Sequence, residues 1–258
     1  MTPLGIAQIW LSRLILNPQS RQVRSELAQP YEMHRTLLRA FPKALVGGEG
    51  IRHKCGILFR AEVNDYRNGV IVYVQSVLKP DWSFLATRSD YLVMGVPPPN
   101  PAWKDVSGAH QSVQVGQVLS FRLRANPTKR IAKDTRFAGA LRGKRVGLLR
   151  EEEQIAWLIR KGRERERGVP GGFEILMRDV ENRDGGITQL PRVSVRPEGK
   201  QRGLKVEAGR SHEMRHLAVR FDGLLRITDA AAFRETLTRG IGSAKAFGFG
   251  LLSVAPPR

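Results

Sequence analysis

Apolar positions along the chain alternate or run continuously in short segments, a pattern that predicts strands separated by a few helices. The predicted strands cover residues 6–16, 56–63, 69–75, 113–124, 173–180, 204–208, 214–221 and 250–255. Helical spacing is found over residues 30–41 and 151–161, and Asp229 is a predicted N-cap for a helix that ends near Arg239. Residues 21–28 are polar and are predicted to form a loop or short turn.

Strands interleaved with helical segments in each half of the chain indicate an α+β fold. We expect two tandem ferredoxin-like (RRM-like) domains, over residues 1–95 and 108–258. The sequence VPPPNP within residues 96–107 is the most linker-like stretch, so these residues are predicted to be a Pro-rich linker. The second helix of the first domain has no clear counterpart in the pattern.

Composition narrows the class of protein further. The chain has 258 residues, of which 41% are hydrophobic, enough for an ordinary buried core. Cys55 is the single cysteine, which excludes an internal disulfide framework and a multi-cysteine zinc site. No apolar run reaches the roughly 18–20 residues of a membrane span, and the N-terminal stretch lacks signal-peptide features. We therefore expect a soluble, cytoplasmic protein without a membrane partner.

A formal net charge of +19 favours a polyanionic partner, although a basic proteome raises the pI of unrelated enzymes too. The excess is +5 over residues 1–121 and +14 over residues 122–258. Residues 122–145 carry nine basic side chains and one acidic one, and arginine dominates the second half. Guanidinium groups suit phosphate contacts, so this block predicts a polyanion-binding surface, with solvated surface charge as the alternative.

The helix predicted over residues 30–41 carries the first candidate for chemistry. Tyr31 and His34 are neighbours at a spacing of three, on the side that also holds Arg35 and Arg39. An exposed imidazole can transfer a proton near neutral pH, and arginine can neutralise a developing phosphorane. If the substrate is RNA, its 2′-hydroxyl is the nucleophile and no metal is needed. The alternative is an ordinary surface histidine.

The second candidate is a glycine-rich loop, GIGSAKAFGFG, over residues 240–250. Its glycines allow a close backbone approach to a ligand, although a helix C-cap also explains Gly240 and Gly242. Neither the P-loop spacing nor a strand-to-helix dinucleotide fingerprint is present.

The remaining histidines carry less information. His53 and Cys55 lack further candidate metal ligands. His212 and His216 are predicted to be surface residues that contact phosphate, or nothing.

Three segments, FRLRANPTK (121–129), EEEQIAWLIRK (151–161) and GIGSAKAFGFGLLSVAP (240–256), together with PYEMHRTLLRAFP (30–42), resemble the CasE family of the type I-E CRISPR effector Cascade. The resemblance runs in order along the chain and is poor over residues 81–112, 130–150 and 162–202. It implies two RRM-like domains and a metal-independent, cofactor-free endoribonuclease. Such an enzyme binds the stem-loop of CRISPR repeat RNA, cuts at the 3′ base of the stem, and stays bound with the other Cascade subunits.

The resemblance also implies roles for individual residues. His34 falls on the catalytic histidine, acting as general base or acid, and Tyr31 on a positioning or proton-sharing partner. Ser243 and Lys245, with Gly242 beside them, are expected near the scissile phosphate. The hairpin around residues 205–220 is expected to enter the groove of the stem. The residues expected to contact RNA are Arg35, Arg39, Arg122, Arg124, Lys129, Arg130, Lys205, Arg210 and Arg215.

Two alternatives to the nuclease remain open at this point. One is a non-catalytic RNA-hairpin-binding protein of the same fold. The other is a general basic nucleic-acid-binding protein without a CRISPR role.

Overall fold

A computed structural model describes residues 8–42, 56–64, 69–95, 99–131, 143–163, 171–207 and 210–257. The predictions that involve His53, Cys55 and residues 132–142 lie outside this part of the chain. Within it, no helix is long and apolar enough to cross a lipid bilayer.

The first half of the chain forms an antiparallel sheet of four strands with two helices packed on it. The elements are β1 (Trp10–Leu16), α1 (Arg21–Ala28), α2 (Pro30–Leu38), β2 (Leu58–Asn64), β3 (Gly69–Ser76) and β4 (Ala102–Asp105). The strand order is β2-β3-β1-β4, and a 3₁₀ turn at Ser83–Thr87 lies between β3 and β4 in sequence. The helices cover one face of the sheet, where Met33 and Leu37 of α2 join the core.

The second half forms a larger antiparallel sheet with two further hairpins. The elements are α3 (Ser107–Gln111), β5 (Val118–Ala125), β6 (Thr128–Arg130), β7 (Arg145–Gly147), α4 (Glu151–Arg163), β8 (Phe173–Ile175), β9 (Met177–Glu181), β10 (Ile187–Pro191), β11 (Val193–Glu207), β12 (Arg210–Ile227), α5 (Ala230–Arg239) and β13 (Leu252–Ala255). The strand order of the sheet is β11-β12-β5-β13, and β8 pairs with the end of β12. The two small hairpins are β6–β7 and β9–β10.

Strand β5 shows how the sequence pattern separates two faces of this sheet. Leu119, Phe121 and Leu123 point into a core shared with α4 and α5. The intervening Arg122 and Arg124 lie on the opposite face, because successive side chains of a strand point to opposite sides. The helices therefore cover one face and leave the arginine-bearing face turned toward the first half of the chain.

The prediction of a loop over residues 21–28 is wrong, because these residues form helix α1. Ser20 caps the helix by accepting a hydrogen bond from the backbone N–H of Val23. Glu26 is buried and accepts hydrogen bonds from the Tyr91 hydroxyl at 2.6 Å and from Thr36 Oγ1 at 2.7 Å. A carboxylate that serves as a buried anchor does not register as an apolar position, so the pattern of apolar residues does not reveal this helix.

The segment over residues 96–107, which is predicted to be a Pro-rich linker, contains a strand of the first sheet. Strand β4 pairs with β1, so that Trp103 lies opposite Ser12. The side chain of Asn100 holds the approach to this strand, since it donates to the backbone oxygens of Ile15 and Val93. Strand β4 has only four residues and follows a proline-rich stretch, so the alternation of apolar and polar residues that is typical of a strand cannot be recognised there.

Other predicted elements are confirmed with changed bounds. The predicted hairpin is present, but β11 and β12 are far longer than expected and carry a bulge between Pro197 and Lys200. The strand predicted over residues 173–180 is divided into β8 and β9, which belong to different sheets. Asp229 caps α5 by accepting a hydrogen bond from Ala232 N at 3.0 Å, as predicted.

A buried arginine joins the two halves of the chain. Arg60 on β2 is 4% exposed, and its Nη1 donates to the backbone oxygen of Leu251 at 3.1 Å and to Ser253 Oγ at 3.1 Å. Its Nε pairs with Glu62 at 2.6 Å. Burial lowers the pKa of Arg60, and the adjacent carboxylate acts in the opposite direction and keeps the guanidinium charged. Gln75 adds a second link by donating to the backbone oxygen of Leu237 at 2.8 Å.

We expect Arg60→Gln to destabilise the protein by about 2–4 kcal/mol, because it leaves buried acceptors and a carboxylate without their partner. The free energy of unfolding in urea measures the effect. Arg35→Gln is the matched control, since Arg35 is exposed and pairs with Glu32 on the surface, where the loss should stay below about 1 kcal/mol. Equal losses in both variants would contradict a buried junction.

Candidate active site

The glycine-rich loop after α5 is held against β5 by its own backbone. The N–H of Gly240 donates to the Thr236 oxygen at 2.8 Å and ends the helix. The N–H of Ile241 donates to the Gly250 oxygen at 2.9 Å, and the N–H of Gly250 donates to the Arg124 oxygen at 2.8 Å. A Cβ atom on Gly240 would lie 2.6 Å from the Gly250 oxygen, so this crossing requires glycine.

The loop residues that are predicted to approach the phosphate have defined positions. Gly242 has a φ of +83° and passes over the ring of Trp157 in α4. Ser243 is half-buried and faces an open cleft. Lys245 is the first residue of the 3₁₀ turn Lys245–Phe247, and Ala244 separates it in sequence from Ser243.

Phe247 connects the loop to both halves of the protein. Its ring is buried against β11, where Gly203 leaves the space that a side chain would otherwise occupy. The ring centroid lies 5.7 Å from that of Tyr31 in α2 and 4.5 Å from that of His216 in β12. Three distant segments of sequence therefore meet at one aromatic side chain.

An open cleft of about 710 Å³ lies beside this contact. Its walls come from α2, the β6–β7 hairpin, the β11–β12 hairpin and the glycine-rich loop. Its lining residues are Tyr31, Asn126, Thr128, Arg145, Gly147, Leu149, Lys200, Arg215, His216, Leu217, Ser243, Ala244 and Phe247.

The predicted exposure of His34 is wrong. The residue is 2% exposed, and its ring stacks on Phe59 with centroids 6.0 Å apart and planes inclined by 10°. Tyr31 lies next to it, at 6.2 Å between ring centroids, and is the member of the pair that lines the cleft. The reason is that His34 belongs to the packed side of α2, together with Met33 and Leu37.

The two arginines of β5, which are expected to contact phosphate, both take part in ion pairs, and the side chain of Arg122 is 40% exposed while that of Arg124 is 9% exposed. Arg122 pairs with Asp222 at 2.5 Å and with Glu62 at 3.2 Å. Arg124 is buried and pairs with Glu198 at 2.6 Å. Arg220 of β12 continues this series, because it pairs with Asp222 at 3.1 Å. The result is an ion-pair ladder that runs across the sheet face and reaches Glu62 of the first half.

Two predicted RNA contacts on α2 are exposed. Arg35 pairs with Glu32 at 3.0 Å, one turn from Tyr31. The guanidinium of Arg39 lies over the ring of Phe84 at 4.8 Å.

Two others belong to the β6–β7 hairpin, which forms one wall of the cleft. Lys129 pairs with Glu153 of α4 at 2.8 Å. Arg130 donates from Nε to the Gly143 oxygen at 3.0 Å, across the hairpin.

The long β11–β12 hairpin carries the last three. Arg215 is exposed and lines the cleft. Lys205 and Arg210 lie near its tip, and their side chains are outside the described part of the chain. Of the predicted site residues, the cleft thus brings together Tyr31, Arg215 and Ser243.

Sequence reasoning missed several residues that line the cleft, namely Asn126, Thr128, Arg145 and Lys200, and it left open whether His216, which also lines the cleft, has a role. Asn126 and Thr128 lie within the segment FRLRANPTK, which carried the family resemblance without assigning them a role. Lys200 reaches the cleft because β11 extends past its predicted bounds, whereas His216 lies within the strand predicted over residues 214–221.

His216 has a neutral imidazole as its favoured state. Its Nδ1 lies 3.2 Å from the side-chain Nδ2 of Asn126, and its ring packs on Phe247 and Phe249. Burial in these surroundings lowers the pKa of His216. Burial also lowers the pKa of His110, which lies in α3 away from the cleft.

Comparison with known proteins identifies the class to which this fold and cleft belong. The family model described as CRISPR associated protein matches residues 9–256, and the chain belongs to that family. It is 39% identical to CRISPR-associated endoribonuclease Cse3 of Thermus thermophilus, over 96% of this chain and all of that protein. It is 30% identical to the CRISPR system Cascade subunit CasE of Escherichia coli, over 88% of this chain and 92% of that protein.

Solved structures agree with this assignment. The structure of Thermus thermophilus Cse3 bound to an RNA representing a pre-cleavage complex is 38% identical, with a TM-score of 0.67. The structural match covers 96% of this chain and 100% of the Cse3 chain. The crystal structure of Cas6e from Escherichia coli is 28% identical, with a TM-score of 0.57 and the same coverage. The mixed fold with antiparallel sheets is therefore shared with these proteins.

The lowered pKa values of His110 and His216 predict a dependence of stability on pH. In the unfolded chain these imidazoles bind protons near pH 6.5, whereas in the folded protein they bind protons only at lower pH. Their contribution to the free energy of unfolding is therefore complete above pH 6.5 and is lost as the pH decreases toward 5. Thermal unfolding midpoints between pH 7 and 5 measure this. The double variant His110→Gln/His216→Gln should show a smaller fall than the wild type, and an identical fall would contradict the assignment.

Proposed function

We propose that this protein is a metal-independent endoribonuclease that binds the stem-loop of CRISPR repeat RNA and cleaves it at the 3′ base of the stem. The observation that carries the proposal is the position of Tyr31 on α2, next to His34 and against Phe247 of the glycine-rich loop, at a cleft with a basic rim. The related Cse3 is named an endoribonuclease and has been solved with RNA, and the related CasE is named a Cascade subunit. By this relationship, the protein keeps its product and joins a Cascade complex in the cytoplasm.

We also propose that the two halves are tandem ferredoxin-like domains. The first sheet has the order β2-β3-β1-β4 and the second the order β11-β12-β5-β13, which place the successive strands of each half in the same relative positions. In the second half, α4 and α5 follow the first and third strands of this set, as the βαββαβ arrangement requires. Because β4 belongs to the first sheet, we place the end of the first domain after Asp105 and assign residues 102–105 to that domain and not to a linker.

The proposed reaction is an attack of the ribose 2′-oxygen on the adjacent phosphorus, in line with the leaving 5′-oxygen. The 2′-hydroxyl loses its proton to a base, and the departing 5′-oxygen receives a proton from an acid. The products are a 5′-hydroxyl and a 2′,3′-cyclic phosphate. His34 acts as base or acid, and its neighbour Tyr31, which lines the cleft, positions the RNA or shares the proton.

The glycine-rich loop supplies the second wall of this site. Ser243 faces the cleft and can donate a hydrogen bond to a phosphate oxygen. Lys245 is close in sequence and adds positive charge, which stabilises the negative charge that develops on the phosphorane.

Repeat RNA incubated in EDTA tests this mechanism. Wild-type protein should cleave it, while His34→Ala should lower the single-turnover rate by at least about 100-fold, the range of general acid–base catalysis. RNA with a 2′-deoxyribose at the cut site should bind but remain intact. Cleavage that requires Mg²⁺, or that survives in His34→Ala at the wild-type rate, would contradict the mechanism. Binding without any cleavage by wild type would favour the non-catalytic alternative.

We propose a revised set of RNA phosphate contacts. Arg145, Lys200 and Arg215 are exposed at the rim of the cleft, whereas Arg122 and Arg124 lie within the ion-pair ladder. The exposed residues of α2 and the β6–β7 hairpin extend this rim, namely Arg35, Arg39, Lys129 and Arg130. Lys205, Arg210, Gly242 and Lys245 remain proposed contacts from the family resemblance.

The salt dependence of RNA binding separates these two groups of arginines and lysines. Arg145→Gln and Lys200→Gln should each reduce the slope of log affinity against log salt by about 0.7–0.9, the value for one phosphate contact. Arg122→Gln is the matched control, and it should leave the slope unchanged while lowering stability. A reduced slope in Arg122→Gln with no change in the other two variants would reverse the assignment.

A further inference from the structure

Asn126 and His216 form a buried polar pair at the wall of the cleft. Asn126 follows β5 and is 5% exposed, and its Nδ2 lies 3.2 Å from Nδ1 of His216 on β12. Within the described part of the chain, Asn126 Oδ1 and His216 Nε2 are both buried and have no hydrogen-bond partner. Buried polar atoms are normally satisfied, so two adjacent exceptions at a cleft require an explanation.

The orientation of the Asn126 amide decides what this pair presents to a ligand. In this orientation the amide nitrogen faces Nδ1 of His216 and donates to it, which assigns the proton of the neutral ring to Nε2. Burial favours this neutral state, since it lowers the pKa of His216. Asn126 Oδ1 is then a free acceptor and His216 Nε2–H a free donor on two side chains that contact each other.

The surroundings of the pair match a nucleotide. Phe247 lies 4.5 Å from the imidazole between ring centroids, and Leu149 and Leu217 add apolar surface to the same cleft. Lys200 and Arg215 are exposed at the rim, where a phosphate would lie. These features match the parts of a single nucleotide. The apolar surface suits the flat face of the base, the donor and the acceptor suit its polar edge, and the nearby cations suit the phosphate.

We propose that Asn126 and His216 bind the Watson–Crick edge of one unpaired base of the repeat RNA. Oδ1 accepts from an N–H group of the base, and Nε2–H donates to a neighbouring ring nitrogen or carbonyl oxygen. The base must be unpaired because this edge is occupied in the stem. The two atoms are covered in this structure, so binding of a base requires a local rearrangement that uncovers them. The proposal rests on the proposed function as an RNA-binding endoribonuclease.

The test combines protein and RNA changes in one cycle. All RNAs carry a 2′-deoxyribose at the cut site, which prevents cleavage, so that only binding is measured. In a series of such RNAs, each unpaired nucleotide in turn is replaced by an abasic one. At one position the abasic change should weaken wild-type binding by about tenfold or more, the range of one base contact. His216→Phe, which retains a ring but lacks the donor, should weaken binding of the intact RNA similarly and then be insensitive to that abasic change.

Controls distinguish a lost contact from a lost fold. His216→Gln retains an N–H donor and should restore part of the affinity, and His110→Phe, away from the cleft, should bind like wild type. The proposal is overturned if His216→Phe binds as tightly as wild type, or if the abasic penalty persists in it unchanged at every position. A wild type that neither binds nor cleaves repeat RNA would instead overturn the proposed function.

Discussion

The arrangement of the cleft depends on the buried guanidinium of Arg60. The guanidinium is buried between the two halves and donates hydrogen bonds from β2 of the first half to the backbone oxygen of Leu251 and to Ser253 Oγ in the second half. Such a burial is unfavourable unless every donor finds a partner, which makes the contact specific for one relative position of the two sheets. The cleft draws Tyr31 from one half and Ser243 from the other, so its geometry follows from that position.

The charge of the protein has two separate uses. A net +19 suggests one large anion-binding surface, yet part of the arginine content of the second half lies in the ladder that includes Arg122 and Arg124. Three carboxylates, Glu62, Glu198 and Asp222, neutralise that ladder and hold the sheet face against the first half. The positive charge left at the cleft rim is more dispersed than the sequence block over residues 122–145 indicates.

Helices with strong periodicity, namely α2, α4 and α5, are predictable from the sequence, as is the β11–β12 hairpin. Helix α1 is not, because its anchor is the buried Glu26, whose partners Tyr91 and Thr36 are distant in sequence. The same limit applies to the site. Tyr31 and His34 are linked by helical spacing, but the burial of His34 depends on Phe59, and the pairing of Asn126 with His216 depends on strand register.

The central claim is that the RNA is cut in the cleft between α2 and the glycine-rich loop. Photo-crosslinking tests it most directly, with an uncleavable repeat RNA that carries one photoreactive nucleotide next to the cut site, followed by mass spectrometry of the crosslinked peptides. The account predicts crosslinks to the peptides that contain Tyr31 and Ser243. Crosslinks confined to the opposite side of the second sheet, on α4 and α5, would contradict it.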